Sequence, residues 1–265
     1  MYTTQIIGYL LAVFIGISLG LLGSGGSILS VPIFVYVFKI EPVLATTYSL
    51  FVVGITALFA GIQKALQKLV DFNKVVLFGI PTIASVLFTR KIIVAHIPKY
   101  ITIYPEYSVS KSMLIMLVFA VVMFFAALQM IRPLQITKEK ETQSSYVLII
   151  FYGLLIGAIA GFVGAGGGFL IIPALLLLAK TPMKIAVGTS LFIVALQSLM
   201  GFLGDVSSSN IDWKLLLQFT SFAFFGVFIG NKLSYKIPAN TLKVYFGYFI
   251  IVMAIFIVFK EVVLA

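Results

Sequence analysis

The sequence predicts an all-α polytopic membrane protein made of two inverted structural repeats, each with a broken or re-entrant helix pair plus three transmembrane helices. Three observations lead to this prediction. Hydrophobic residues fill 62% of the 265 positions and charged residues only 10%, whereas soluble domains are about half apolar and a quarter charged. Several nearly uncharged windows reach the roughly 18 residues needed to cross a bilayer. The glycine-rich stretch 20–32 also occurs a second time, at 161–173.

The two halves align without a gap at an offset of 141 residues. Gly161 minus Gly20 gives 141, and Asp212 minus Asp71 gives the same value. Chance similarity of apolar stretches does not explain matches at glycine, proline and aspartate, so the chain carries an internal duplication. We divide it into a first membrane repeat at 1–132, a cytoplasmic linker at 133–145 and a second membrane repeat at 146–265.

Each repeat contains four apolar segments in the same order. They cover 5–38, 42–63, 75–95 and 113–131 in the first repeat, and 146–179, 183–203, 213–233 and 239–259 in the second. The first segment of each repeat is too long for one span and too short for two spans with a turn. Glycines interrupt both of these segments, and an irregular backbone is tolerated in a bilayer only inside protein or beside a watery cavity. We therefore predict a helix break inside the protein in each repeat.

The loop charges predict the orientation of the halves. Lys and Arg concentrate on the cytoplasmic side of membrane proteins. If each half crosses three times, most of the positive loops and the linker lie in the cytoplasm, and the loop holding Asp205 and Asp212 lies outside. The loop from Arg90 to Lys111 is the exception, because its positive charges would be external. Three crossings per half would invert the second half relative to the first, in a multi-pass protein of the inner (plasma) membrane.

Composition also argues against several classes of function. The net charge of +10 sits in loops at the ends of apolar segments, as topology determinants do, so we expect no nucleic-acid partner. The chain has no cysteine, which excludes disulfides and thiol catalysis. It shows no nucleophile–base pair and no metal-ligand cluster, so we expect no enzyme activity, no cofactor and no metal. The lipid bilayer is a necessary partner, and a homodimer stays open.

The two glycine runs, 23–27 and 164–168, point to an anion site. A helix that starts inside the membrane presents unpaired N–H groups and the positive end of its dipole, and glycine lets an anion approach that backbone. Two such ends that meet near the midplane resemble the sites of inverted-repeat transporters. The predicted substrate-binding residues are Gly23, Ser24, Gly25, Gly26 and Ser27 in the first run, Gly164, Ala165, Gly166, Gly167 and Gly168 in the second, and Thr47, Ser49, Thr189, Ser190 and Gln197 in the segments that follow.

Other residues are assigned plainer roles. Gly16 and Gly20, with their counterparts Gly157 and Gly161, fit close helix packing. The pairs Arg90–Lys91 and Asn231–Lys232 are interpreted as anchors whose polar ends reach the interface. All eight acidic residues lie at or beyond segment ends. We therefore predict transport without a carboxylate relay, either uniport or coupling through backbone carbonyls.

Both glycine runs are followed by a proline and then by Ala-x-x-x-Ser-Leu-Phe, at 45–51 and 186–192. This doubled pattern resembles the sulfite exporter TauE/SafE family of membrane permeases along essentially the whole chain. The resemblance implies movement of small sulfur-containing anions, such as sulfite, sulfoacetate and other organosulfonates, across the bacterial inner membrane. Two alternatives stay open at this stage, a channel-like facilitator of anions or other solutes and a membrane partner protein that transports nothing.

Overall fold

The computed structural model describes residues 2–104, 107–131, 146–177, 179–208, 210–234 and 239–263. Its regular elements correspond to the predicted segments and follow one another in this order: α1 (Tyr2–Leu22), a 3₁₀ stretch (Gly23–Leu29), α2 (Ser30–Pro32), a π-helical stretch (Ile33–Val37), α3 (Pro42–Leu66), α4 (Phe72–Phe88), a second π-helical stretch (Thr89–Val94), β1 (Tyr100–Tyr104), β2 (Tyr107–Ser110), α5 (Lys111–Ile131), α6 (Tyr146–Val163), α7 (Gly168–Leu177), α8 (Met183–Asp205), a 3₁₀ turn (Val206–Ser208), α9 (Trp213–Leu233) and α10 (Ala239–Val263). The predicted linker, 133–145, lies outside the described residues.

Both glycine-rich segments are broken, as predicted. In the first half α1 stops at Gly23, whose φ of 71° is left-handed, and the chain continues as a 3₁₀ stretch rather than as an α-helix. In the second half α6 stops before Gly164, and Gly164, Gly166 and Gly167 have φ values of 73°, 69° and 59°. Left-handed backbone costs an L-residue roughly 1–2 kcal/mol and costs glycine almost nothing. The glycines thus make these interruptions affordable to the fold.

Within the described residues, six helices are long and apolar enough to cross a membrane. They are Pro42–Leu66, Phe72–Val94 and Lys111–Ile131 in the first half, and Met183–Asp205, Trp213–Leu233 and Val244–Val263 in the second. Shorter apolar helices at Gln5–Leu21, Ser27–Val37 and Val147–Val163 belong to the broken segments. The protein is therefore all-α in its membrane part and polytopic, with three long helices in each half.

The two halves interlock rather than standing side by side. The helix α1 packs on α9 and α6 packs on α4, while α3 packs on α8 and α5 on α10. Each half therefore supplies one partner to every main helix pair. On α3, Gly54 lies against Leu199 and Gly61 against Phe192, so residue numbers rise on one helix as they fall on the other. The helices α3 and α8, which occupy the same place in the two repeats, run antiparallel.

Corresponding contacts recur at the 141-residue offset. A methyl group built on Gly16 would meet Ala223, and one built on Gly157 would meet Thr82, and both members of each pair differ by 141. These glycines let α1 approach α9, and α6 approach α4, within reach of the neighbouring backbone, which confirms their predicted packing role. The same offset relates two hydrogen bonds: the Asp71 N–H donates to Thr189 Oγ1 at 3.0 Å, and the Asp212 N–H donates to Tyr48 Oη at 2.6 Å.

One element has no counterpart in the other half. The strands β1 and β2 form an antiparallel hairpin between α4 and α5, in a loop that the sequence identified only as long and tyrosine-rich. The Lys111 ammonium at the start of α5 donates to the Val94 carbonyl, which ties the hairpin ends to the last turn of α4. This hairpin marks the end of the molecule where α4 finishes and α5 begins.

Candidate functional site

The two breaks meet in the centre of the molecule. The 3₁₀ stretch of the first half packs on α7 of the second, and the Ser27 hydroxyl donates to the Ala165 carbonyl at 2.7 Å. The Gln197 amide on α8 donates to the Gly166 carbonyl, so an α8 side chain satisfies part of the second run's unwound backbone. Because Ser27 is fully buried, as are Ala165 and Gln197, the breaks form a closed polar centre between the halves.

A buried ion pair lies beside this centre. Arg90 Nη1 is 2.6 Å from Asp205 Oδ2, with side-chain exposures of 1% and 14%. Thr47 Oγ1 donates to the same carboxylate oxygen at 2.9 Å. The pair joins α4 in the first half to α8 in the second, through the π-helical stretch that widens the end of α4. Such widened turns are frequent at functional sites.

This ion pair corrects two predictions made from the sequence. Arg90 is not an anchor that reaches the interface, because its side chain is buried and paired. Asp205 does end α8, as the sequence indicates, yet its carboxylate turns inward and is largely buried. Lys91, by contrast, is exposed. Removing two charges from water is costly unless they are paired, and the partner of each charge comes from the other half of the chain.

Unpartnered polar atoms gather at the second glycine run. Among the described residues, five side chains hold a buried polar atom without a hydrogen-bond partner, namely Thr89, Arg90, Gln197, Ser198 and Asn231. Methyl groups built on successive glycines would lie 3.0 Å from Thr89 Cβ at Gly161, 2.7 Å from Arg90 Nη2 at Gly164, 2.8 Å from Ser198 Oγ at Gly166 and 3.5 Å from Gln197 Nε2 at Gly167. Four of the five side chains therefore border this run or the glycine just before it.

The first glycine run has a different environment. A methyl group on Gly23 would meet Val187, where the equivalent Gly164 meets Thr46 and Arg90. The position equivalent to Arg90 holds Asn231, whose amide donates to the Gln63 side chain. The positive charge and its counter-ion are thus present at one break and absent from the equivalent place at the other.

The remaining predicted site residues fall into two groups. Ser49 bonds to Ser30 on the broken segment, so it lies near the meeting point of the breaks. Thr47 bonds to Asp205, Thr189 accepts from the Asp71 N–H, and Ser190 donates to its own helix at Val187, so these three lie outside the immediate contact between the runs. Gly23, Ser24, Gly25, Gly26 and Ser27 form the 3₁₀ stretch, the side chain of Ser24 lies outside the described part of the chain, and Gly168 is the first residue of α7.

The sequence did not indicate that Thr89, Arg90, Ser198 and Asp205 belong together. One signal was available for two of them. Arg90 and Asp205 are isolated opposite charges at the ends of long apolar runs, and such charges are either interfacial or paired in the interior. Within the described residues, no three His, Asp or Glu side chains come together in a way that could hold a metal ion.

The interlocked helices, the two interrupted segments and the buried polar centre define a polytopic helical membrane protein with its polar chemistry between two duplicated halves. The chain belongs to the sulfite exporter TauE/SafE family, whose model matches residues 8–257. This family membership makes it a multi-pass membrane transporter and confirms the resemblance seen in the sequence.

Relatives with the same broad description span nearly the whole chain. A probable membrane transporter protein of Xylella fastidiosa is 28% identical over 260 residues, which is 93% of this chain and 92% of the relative. The probable membrane transporter protein MJ0441 of Methanocaldococcus jannaschii is 24% identical, covering 93% and 94%. YdhB of Bacillus subtilis, also a probable membrane transporter protein, is 43% identical over 96 residues, or 36% of this chain and 39% of the relative. No solved structure matches the chain.

Proposed function

We propose that this transporter is a permease for small anions, among them sulfur oxyanions such as sulfite and organosulfonates such as sulfoacetate. The observation that carries the proposal is the meeting of the two glycine breaks, joined by the hydrogen bond from Ser27 to the Ala165 carbonyl. An unwound backbone at the centre of a membrane protein supplies N–H donors without side chains in the way. The family description, sulfite exporter, favours sulfur anions within this class.

The proposal includes inverted repeats as the basis of the mechanism. Antiparallel packing of α3 on α8, two helices at the same position in their repeats, supports an inverted arrangement. Recurrence of the same contacts at the 141-residue offset supports a two-fold relation between the halves. In such transporters, access alternates when one repeat rocks against the other around a fixed site. Here that site would lie at the contact between residues 23–27 and 164–168.

Counterflow in proteoliposomes tests the function. Vesicles containing the purified protein are loaded with unlabelled sulfite and diluted into a trace of ³⁵S-sulfite. A permease that alternates access accumulates label transiently, because internal sulfite drives the return step. Uptake without this overshoot indicates a channel-like facilitator. No uptake of sulfite or sulfoacetate above that of protein-free vesicles would contradict the proposed function.

A further inference from the structure

The proposed anion site has two halves that are unequal in chemistry. At the second glycine run, the buried and unpartnered atoms include Arg90 Nε, Arg90 Nη2 and Ser198 Oγ. At the equivalent positions of the other half, 141 residues away, stand Asn231 and Ala57. A buried donor without a partner is costly, so a group of them concentrated at one place calls for a missing acceptor.

We infer that the transported anion is held at the second glycine run, bound by the Nε–Nη2 edge of Arg90, with Asp205 as the resident counter-ion on Nη1. This inference rests on the proposed function and assigns the charge that the substrate meets. It also makes the binding asymmetric, with the cationic contact supplied by the first repeat to the backbone break of the second.

The geometry of the guanidinium favours this division of roles. Arginine presents planar edges that match the paired oxygens of a carboxylate, a sulfonate or a sulfite. Asp205 occupies only Nη1, through Oδ2, and the hydroxyl of Thr47 holds that same oxygen. The Nε–Nη2 edge is the part of the fork that has no partner among the described residues.

The glycines explain why this edge reaches the break. Because Gly164 has no side chain, Arg90 Nη2 lies where any Cβ would be only 2.7 Å away. Ser198 Oγ approaches Gly166 in the same way. An oxyanion on the Arg90 edge would therefore lie beside the backbone of the second run, with Ser198 as a further donor from α8. Asp205 offsets the charge of Arg90 when no substrate is bound.

Anion affinity, measured by thermal shift on the detergent-purified full-length protein, tests the inference. Sodium sulfite and sodium sulfoacetate are titrated against sodium chloride at matched ionic strength, since a ligand that binds only the folded form raises the melting temperature. Arg90→Lys keeps the charge but removes the two-pronged edge. We expect it to bind about tenfold to a hundredfold more weakly, in line with the loss of a charged hydrogen bond.

The double variant Arg90→Gln with Asp205→Asn removes both charges, so no unpaired charge is left inside the protein. It should fold and melt cooperatively yet lose the anion response. Asn231→Ala is the matched control, because it truncates the equivalent buried side chain of the other half. It should lower the melting temperature of the ligand-free protein while leaving anion affinity within about twofold, a difference under 0.5 kcal/mol.

The outcomes separate the inference from the proposed function. If the unsubstituted protein binds sulfite or sulfoacetate and the folded double variant binds equally well, the Arg90 assignment is wrong and the permease proposal stands. An equal loss of affinity in Asn231→Ala and Arg90→Lys would also overturn the assignment, because it would show a general loss of packing. If the unsubstituted protein responds to neither salt, both proposals fail.

Discussion

Arg90 and Asn231 occupy the same position in the two repeats, 141 residues apart, and each links its helix to the other half of the chain. Arg90 on the extension of α4 pairs with Asp205 on α8, and Asn231 on α9 bonds to Gln63 on α3. The contact is conserved in place and changed in chemistry, from an amide pair to an ion pair. One duplicated framework thus carries a single buried positive charge at its centre.

Asp205→Asn leaves the Arg90 charge buried without its counter-ion. Breaking a buried pair in this way costs about 3–5 kcal/mol, so we expect a much lower melting temperature in anion-free buffer. The same variant should gain more from sulfite than the unsubstituted protein does, because the added anion replaces the missing charge. The measurement is the difference in melting temperature with and without sulfite, and an equal gain in both proteins would contradict the role assigned to Asp205.

Gly164→Ala tests the break itself. The φ of 73° costs an alanine at least about 1–2 kcal/mol, and its methyl group would overlap Thr46 and Arg90. We expect a loss of stability and of sulfite uptake. Gly79→Ala is the control, since a methyl group there meets no atom within 4 Å and removing a mid-helix glycine gains about 0.5–1 kcal/mol. Comparable thermal unfolding of the two variants would show that the left-handed turn is dispensable.

Gln197→Met should destabilise the second glycine run. It keeps the length of the side chain but removes the amide that donates to the Gly166 carbonyl, and leaving a buried acceptor unpaired costs about 1–3 kcal/mol. The equivalent residue Thr56 bonds only to its own helix, at Val52 and Val53 among the described contacts. Thr56→Val should therefore cost less in the same thermal-unfolding assay. A larger loss in Thr56→Val would mean that the two runs do not differ as described.

Inverted repeats place the loops after α3 and α8 on opposite sides of the membrane. The chain has no cysteine, so single cysteine substitutions report on topology without background. Lys68→Cys and Ser207→Cys lie at exposed positions in these two loops. An impermeant maleimide should label S207C in intact cells and K68C only in inside-out vesicles, as the loop charges predict. Labelling of both variants from the same side would rule out inversion.

The fold could be predicted from the sequence because its determinants are local or periodic. Apolar length defined the spans, and glycine with its tolerance of positive φ located both breaks. The pairing of Arg90 with Asp205 could not be predicted, because it joins residues 115 positions apart across two halves whose packing no local pattern specifies. An acidic residue that ends an apolar run looks the same in sequence whether it faces water or turns inward. The acceptor-seeking hydroxyl of Ser198 was hidden for the same reason, since a helix hydroxyl is usually satisfied by its own backbone.

The most direct test is the position of a bound oxyanion in an experimental structure. Crystals grown with sodium selenite, a heavier analogue of sulfite, would reveal the ion by its anomalous scattering. We predict one peak within hydrogen-bonding distance of Arg90 Nε and Nη2, beside the backbone of residues 164–168. A peak at the first glycine run, or an ordered selenite bound away from both breaks, would contradict the central claim that the meeting point of the two interrupted helices holds the transported anion.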